Sequence, residues 1–390
     1  VNRPALANGR AQAVRLSSGD THVTRRELNL AIFEGTANAV LWQPRLETWI
    51  GHHMHEGTMP ERFRGLDSLG IYDALRCSVR YAASAGLERY EEPGDIQRSD
   101  EQQDECYIQT VSLPSGSLRT VHRDIWSEGE LRNRRIAEWP VKDVNDLKVL
   151  TDLVDREQFR ANVRSFEEAA AKVGHRAEPT VFLSSSGFTE LIKTGAGLPT
   201  TYYLLHDHPN EVEAYLEACD RRDHRLIEAA LQLPCRIFNL GDHATNEFTP
   251  PPILKRYLMP RWQWISKRLG DAGRFVHTHW DGHSRLMLPY LKETGLHGVE
   301  ALTPAPMGDM TLEQIKEAVG DTIVCLDLLP AIHFLAHYSM QEVLDFARRV
   351  IDMFAPRLIL GVSDEISQVG EIEKIEAVTE LVDDICGLAE

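Results

Sequence analysis

From about residue 155 onward the chain alternates short apolar runs with longer amphipathic stretches, and that alternation constrains the fold more than any other feature. A short apolar run bounded by turn residues suits a buried parallel strand, and a following stretch with apolar residues at helical spacing suits the helix that covers it. The pattern predicts strands over 180–184, 236–240, 274–279, 298–302, 322–326 and 357–362, with an earlier one over 39–42. Helix starts are marked by three capping-box patterns: Thr24 with Glu27, Thr311 with Gln314 and Ser339 with Glu342. Repeated strand–helix units of this length point to the α/β class and a (β/α)8 TIM-type barrel. Seven of its eight strands are identified; the eighth is irregular or hidden in a segment that reads as loop.

Residues 1–22 are small and polar and read as a lead-in, with 23–390 as a single barrel domain. Region 87–150 breaks the pattern and reads as a β-hairpin insertion. Within it 95–104 looks like a charged loop, and 107–113 and 117–121 alternate around Pro114-Ser115-Gly116 as an antiparallel pair.

The net charge of −17 argues against a nucleic-acid partner, which would need a basic surface, and against an anionic membrane. No stretch approaches the ~20 apolar residues that span a bilayer, and Val1 to Arg15 lacks a signal-peptide apolar core. Six dispersed cysteines without a CxxC read as reduced thiols, so the cytoplasm is the expected location.

In such barrels chemistry gathers at the C-terminal ends of the strands. Those ends here carry Gln43 and Arg45, Ser184 to Ser186, Asp242 and His243, His277 and His279 with Asp281, Glu300, Asp327, and Ser363 to Glu365. Residues i and i+2 of a strand share a face. His277 and His279 can therefore point together into the barrel mouth and hold one metal, with Glu300 and Asp364 as further ligands. Such nitrogen and oxygen donors suit a divalent metal such as zinc. The same imidazoles would equally line a polar pocket without metal. His243 beside Asp242 is a candidate general base or metal ligand, and Asp327 a further pocket carboxylate. Asp281 either orients an imidazole, meets substrate or caps the next helix. Gln43, Arg45 and Trp49 offer an amide, a cation and an aromatic surface to substrate. His283 reads as a helix start, and His52, His53 and His55 as exposed loop. No GxGxxG after a strand, GxxxxGK[ST], HExxH or GxSxG is present.

Several segments in order resemble the uroporphyrinogen decarboxylase superfamily, particularly its cobalamin-associated methyltransferases. They are Thr24–Gly35, Glu138-Trp139-Pro140-Val141-Lys142-Asp143, Gly241-Asp242 followed by Pro250-Pro251, His277-x-His279 with Gly282, Gly298-Val299-Glu300, and Leu360-Gly361-Val362-Ser363-Asp364-Glu365. Zinc methyltransferases of that group typically show His-x-Cys, a glutamate on the next strand and a later Cys. Here His279 stands in the first Cys place, and Ser363 or Asp364 in the second. The resemblance implies a harder ligand set of His277, His279, Glu300 and Asp364, suited to an oxygen rather than a thiol substrate.

The function expected from this is transfer of a methyl group from a small methylated substrate, an O-methyl compound, to a corrinoid. The chain has no DxHxxG cobalamin motif, so the corrinoid would sit on a separate protein. Asp242, His243 and Asp327 would handle protons or orient substrate. The alternatives are a metal-dependent hydrolase or lyase on the same site, a uroporphyrinogen-type decarboxylase, and a barrel that only binds a ligand. The oligomeric state stays open, a homodimer among the options.

Overall fold

The computed structural model describes residues 23–80, 85–91, 94–127 and 130–387; the expected lead-in over 1–22 lies outside them. Among the described residues there are thirteen strands. β1 (Leu41–Trp42), β8 (Thr180–Leu183), β9 (Ile237–His243), β10 (Phe275–His279), β11 (Gly298–Glu300), β12 (Val324–Pro330) and β13 (Leu358–Ser363) form one curled parallel sheet in the order β1-β13-β12-β11-β10-β9-β8. All seven strands expected from the sequence are here. β12 runs four residues further than expected, so that Asp327 lies inside it.

The barrel's eighth position is filled without a regular strand. Between β1 and β8 runs the segment 77–80, in which Ser78 N donates to Trp42 O (2.9 Å) and Ser78 Oγ to Arg176 O (2.7 Å) just ahead of β8. One backbone bond to β1 and one side-chain bond toward β8 span the opening. Only Cys77 and Val79 among these four residues are apolar, too brief a run to mark a strand.

Helices cover the outer face. Buried residues such as Trp262, Ile265, Ile315, Val350, Ile375 and Val378 pack against the outward residues of the strands. Inside, Ile32 and Phe33 of the helix Arg25–Glu34 meet Leu41, Ile237, Leu326 and Ile359 and close the lower end. Gly298 makes this plug fit: a Cβ there would lie 3.0 Å from the Phe33 ring, and 3.2 Å from both His277 and Leu326. All three expected capping boxes form.

The remaining strands make two antiparallel sheets. β2 (Leu87–Glu91) pairs with β7 (Glu157–Ala161), and β3 (Gln97–Gln103), β4 (Cys106–Leu113), β5 (Gly116–Ser127) and β6 (Glu130–Glu138) pair in sequence. The expected pairing of 107–113 with 117–121 is part of β4–β5. The expected loop over 95–104 is instead the edge strand β3. All seven of its residues are exposed, so it carries no apolar period, and its place is set by backbone pairing with β4. At the end of region 87–150 the helix Val144–Arg156 buries Val149 and Leu153 against Leu113 and Leu118 of the hairpin, and Leu147 and Val154 against Leu204, Val212 and Tyr215 of the barrel's helical layer.

Candidate active site

At the C-terminal ends of β9, β10 and β11 the inward residues are Asn239, His243, His277, His279 and Glu300. His277 lies opposite Asn239 and Thr278 opposite Leu240; the register then shifts, and His279 pairs with His243. This irregularity includes Gly241, where a Cβ would lie 3.0 Å from Leu183 O and 3.2 Å from Ser185 Oγ. A side chain at 241 would push β9 off β8. The result is two imidazoles in contact, with ring centroids 4.9 Å apart.

Glu300 is fully buried and organises both histidines of β10. Its Oε1 accepts from His279 Nδ1 (3.1 Å) and Asn239 Nδ2 (3.0 Å), and its Oε2 faces His277 Nδ1 at 3.3 Å. Burial alone would raise this carboxyl; the two imidazoles hold it well below the ordinary glutamate range. Burial likewise opposes charging His279, but the bond to Glu300 and its charge outweigh that and raise the ring's pKa. A ring that donates from Nδ1 to a carboxylate presents Nε2 to the mouth, the usual arrangement behind a metal-bound imidazole. His243 shifts the other way: burial, then the neighbouring His279, lower its pKa and keep it neutral.

Asp281 completes the cluster, its Oδ2 lying 3.8 Å from His243 Nε2. One ligand atom from each of His243, His279 and Asp281 falls within 4.8 Å of the others, and among the described residues no other group of three such side chains is this close. Asp281 reaches this position because Trp280 N donates to Glu300 O (3.0 Å) and the indole packs 5.9 Å from that of Trp262.

The set His277, His279, Glu300 and Asp364 expected from the sequence is not brought together as four ligands. His277 sits beneath Glu300, one per cent exposed and against Phe33. Asp364 lies near enough to the mouth to raise the pKa of His279, but its Oδ1 is taken by Arg45. Arg45 also bonds Glu365 (2.6 Å), so its cation is committed to the protein rather than offered to a substrate carboxylate.

Asp242 is placed elsewhere as well. Alternation along β9 turns it outward, away from His243, where it accepts from Ser186 N (2.8 Å) and Trp262 Nε1 (2.7 Å) and lies 3.4 Å from Arg261. Adjacent residues of a strand cannot act as a pair in one pocket. Trp49 is core: its Nε1 donates to Gly370 O (3.1 Å). The cluster His52, His53 and His55 belongs to the helix Glu47–His55 rather than to a loop, and His283 lies in a bend rather than at a helix start and bonds Glu247 (3.0 Å).

Beneath the histidines lies a group that the sequence reading missed. Arg80, from the irregular eighth segment, reaches inside the barrel. It pairs with Asp327 through both terminal nitrogens (2.6 and 2.8 Å), donates from Nε to Gln43 Oε1 (3.0 Å) and approaches Glu300 to 3.7 Å. Gln43 holds the same segment by donating to Ser78 Oγ (2.9 Å) and Val79 O (2.7 Å). Asp327 Oδ2 also accepts from Ala301 N (3.0 Å). Ala301, Asp327 and Leu328 all have positive φ (62°, 87° and 77°), a strained backbone held where β11 and β12 meet the site. Gln43 and Asp327 thus act on the site through Arg80 and lie below the mouth.

No protein-family model matches the chain, and no curated protein matches it by sequence. Among solved structures it is similar to a methyltransferase from Methanosarcina mazei, at a TM-score of 0.58 and 12% identity, over 93% of this chain and 99% of that one. At this identity the likeness establishes a shared fold, of the TIM-barrel type. A B12-independent methionine synthase from a Shewanella species aligns over 89% of this chain and 97% of its own, at 10% identity and a TM-score of 0.35, too low to carry an argument.

Proposed function

We propose that this protein is a methyltransferase that takes a methyl group from a small O-methyl compound and delivers it to a reduced corrinoid on a separate protein. The observation that carries the reading is the cluster of His243, His279 and Asp281 at the barrel mouth, with Glu300 fixing the tautomer of His279. Two neutral-capable imidazoles and a carboxylate, part-exposed on one side, are a donor set that fits a divalent ion such as zinc with room for a further ligand. The set His277, His279, Glu300 and Asp364 fits less well, because Glu300 is spent on the two imidazoles and Asp364 on Arg45. A metal held at the mouth would supply Lewis acidity to the oxygen that loses the methyl group.

The protein's own groups do the rest. Glu300 keeps Nδ1 of His279 protonated and Nε2 directed outward, and Arg80 and Asp327 brace Glu300 from below. His243 stays neutral and available as a donor atom. The methyl group would leave without the electron pair of its C–O bond, which stays on an oxygen that takes a proton from water, and the chemistry a reduced corrinoid would supply is the electron pair of the new bond. The absence of thiolate donors from this set favours an oxygen-bound over a sulfur-bound methyl group. A tetrapyrrole decarboxylase would need cations for its substrate's carboxylates, and Arg45 and Arg80 are already paired.

The test is to incubate the zinc-supplemented protein with a panel of O-methyl compounds and a Co(I) corrinoid, following methylcobalamin by its absorbance. Donor-dependent methylcobalamin that disappears in His279→Ala is expected. Substrate breakdown that proceeds without corrinoid would replace the reading with a hydrolase.

A further inference from the structure

Beside the cluster lies a cavity of about 470 Å³ whose wall is formed by Trp139, Ile192, Leu198, Pro199 and Phe248, with His243 and Lys193 also lining it. Its volume falls within the ~300–1,000 Å³ of small-molecule sites, far more than a methanol-sized donor would fill. We infer that this cavity seats the ring of an aromatic methyl ether bearing an acidic substituent, with the methoxy group toward His243 and the acid toward Lys193. The inference names a donor class for the methyl-transfer reading and rests on that reading for the reaction, but not for binding.

Three observations support a flat apolar occupant. The Trp139 indole is held in place: its Nε1 donates to Lys193 O (3.4 Å), and its ring lies on Gly197, where a Cβ would come within 3.1 Å. Gly197 has φ +74°, so close approach and backbone both exclude a larger residue there. Phe248 is 39% exposed although its own peptide is tied down, with Tyr202 donating to its carbonyl (3.0 Å) and its N–H bonded to Thr245 (3.2 Å). A large apolar ring held open beside a site has surface to bury on a ligand. Finally, the Phe248 and His243 rings lie 6.4 Å apart, so an aromatic body against Phe248 extends directly to the donor cluster.

The acidic substituent follows from Lys193. It lines the same cavity, and its ammonium has no ion pair or hydrogen bond among the described residues. In a chain of net charge −17 an uncommitted cation lining the cavity selects an anion. The chemistry agrees. When the methyl group passes to the corrinoid, the C–O electron pair stays on a phenol oxygen, whose conjugate acid has a pKa of about 10, well below that of a water-like hydroxyl. A phenolate therefore leaves more readily than an alkoxide.

Isothermal titration of the full chain with para-methoxybenzoate, anisole and methanol tests this directly. Para-methoxybenzoate should bind most tightly. Trp139→Ala, and Leu198→Phe, which fills the cavity from another side, should each weaken it about tenfold or more, with thermal melts confirming folded variants. Lys193→Ala should weaken para-methoxybenzoate but leave anisole unchanged. Equal binding in both cavity variants and the parent, or no preference over methanol, overturns the inference. If the ring binds in His279→Ala and in the parent, yet no methyl reaches the corrinoid from any donor, the cavity assignment stands and the methyl-transfer reading falls.

Discussion

His243 and His279 sit face to face across β9 and β10, their rings 4.9 Å apart and inclined at 31°. Without the register shift after Thr278 the partner of His279 would be Gly241, which carries no side chain. The irregular end of β9 therefore converts one mouth-facing imidazole into two, and Asp281 beyond β10 adds the carboxylate. Bulges of this kind recur beside active sites because they re-aim a side chain without disturbing the strand below.

Metal binding should follow this geometry. Zinc content measured by plasma mass spectrometry after dialysis should fall sharply in His243→Ala, His279→Ala and Asp281→Ala. It should stay near the parent's in Asp364→Ala, whose carboxylate serves Arg45. Glu300→Gln should keep the ligands but cost about 10–100-fold in affinity through the loosened His279 ring. Zinc loss in Asp364→Ala with full retention in His243→Ala would reinstate the ligand set expected from the sequence.

Arg80 should be essential to stability as well as to the site. Its side chain is 3% exposed and that of Asp327 fully buried, so Arg80→Met leaves a buried carboxylate without its cation. Breaking such a pair costs about 3–5 kcal/mol, read as a lowered midpoint in urea unfolding. The double variant Arg80→Met with Asp327→Leu should recover part of that loss, because no unpaired charge then remains.

Acid should destabilise the protein through Asp223. Burial would raise its carboxyl, but Arg261 and Arg222 outweigh burial and lower it. A carboxyl depressed on folding contributes its stability above the unfolded value of ~3.9 and loses it as pH falls through the lower folded value. Asp223→Asn should therefore be less stable than the parent at pH 7. The difference should shrink below about pH 4, in melting temperatures recorded across the acid range. A constant difference down to the lowest pH would exclude this linkage.

The thiols should divide into one reactive and five protected groups. Burial pushes Cys77, Cys235 and Cys325 up to about 12 and raises Cys219 and Cys386 as well, while Cys106 lies part-exposed at the start of β4. Alkylation of the native protein at pH 8, mapped by peptide mass spectrometry, should modify Cys106 first, with the others following only on unfolding.

Much of the fold was legible because burial writes itself into sequence. Strands covered on both faces carry short apolar runs, and all seven were visible by them; the capping boxes at Thr24, Thr311 and Ser339 announced their helices. β3 was invisible because an exposed edge strand needs no apolar pattern, and the eighth segment because only Cys77 and Val79 of its four residues are apolar. At the site, His277, His279 and Glu300 were legible as inward residues of neighbouring strands, since period two determines facing. The same rule, applied to Asp242 and His243, separates them.

The amino-acid sequence by itself determined the alternating architecture, the end of the barrel at which polar groups collect, and the presence of a His-x-His opposite a glutamate. Only the tertiary structure decided which of those groups meet. A two-residue irregularity in β9 brought His243 to His279, an ion pair withdrew Asp364 to Arg45, and a segment without regular structure put Arg80 under Glu300. The physical reason is that periodicity encodes which face a side chain points to, whereas ligand geometry depends on register and on competition among charges. Both are settled between segments far apart in the chain, where no local pattern reaches.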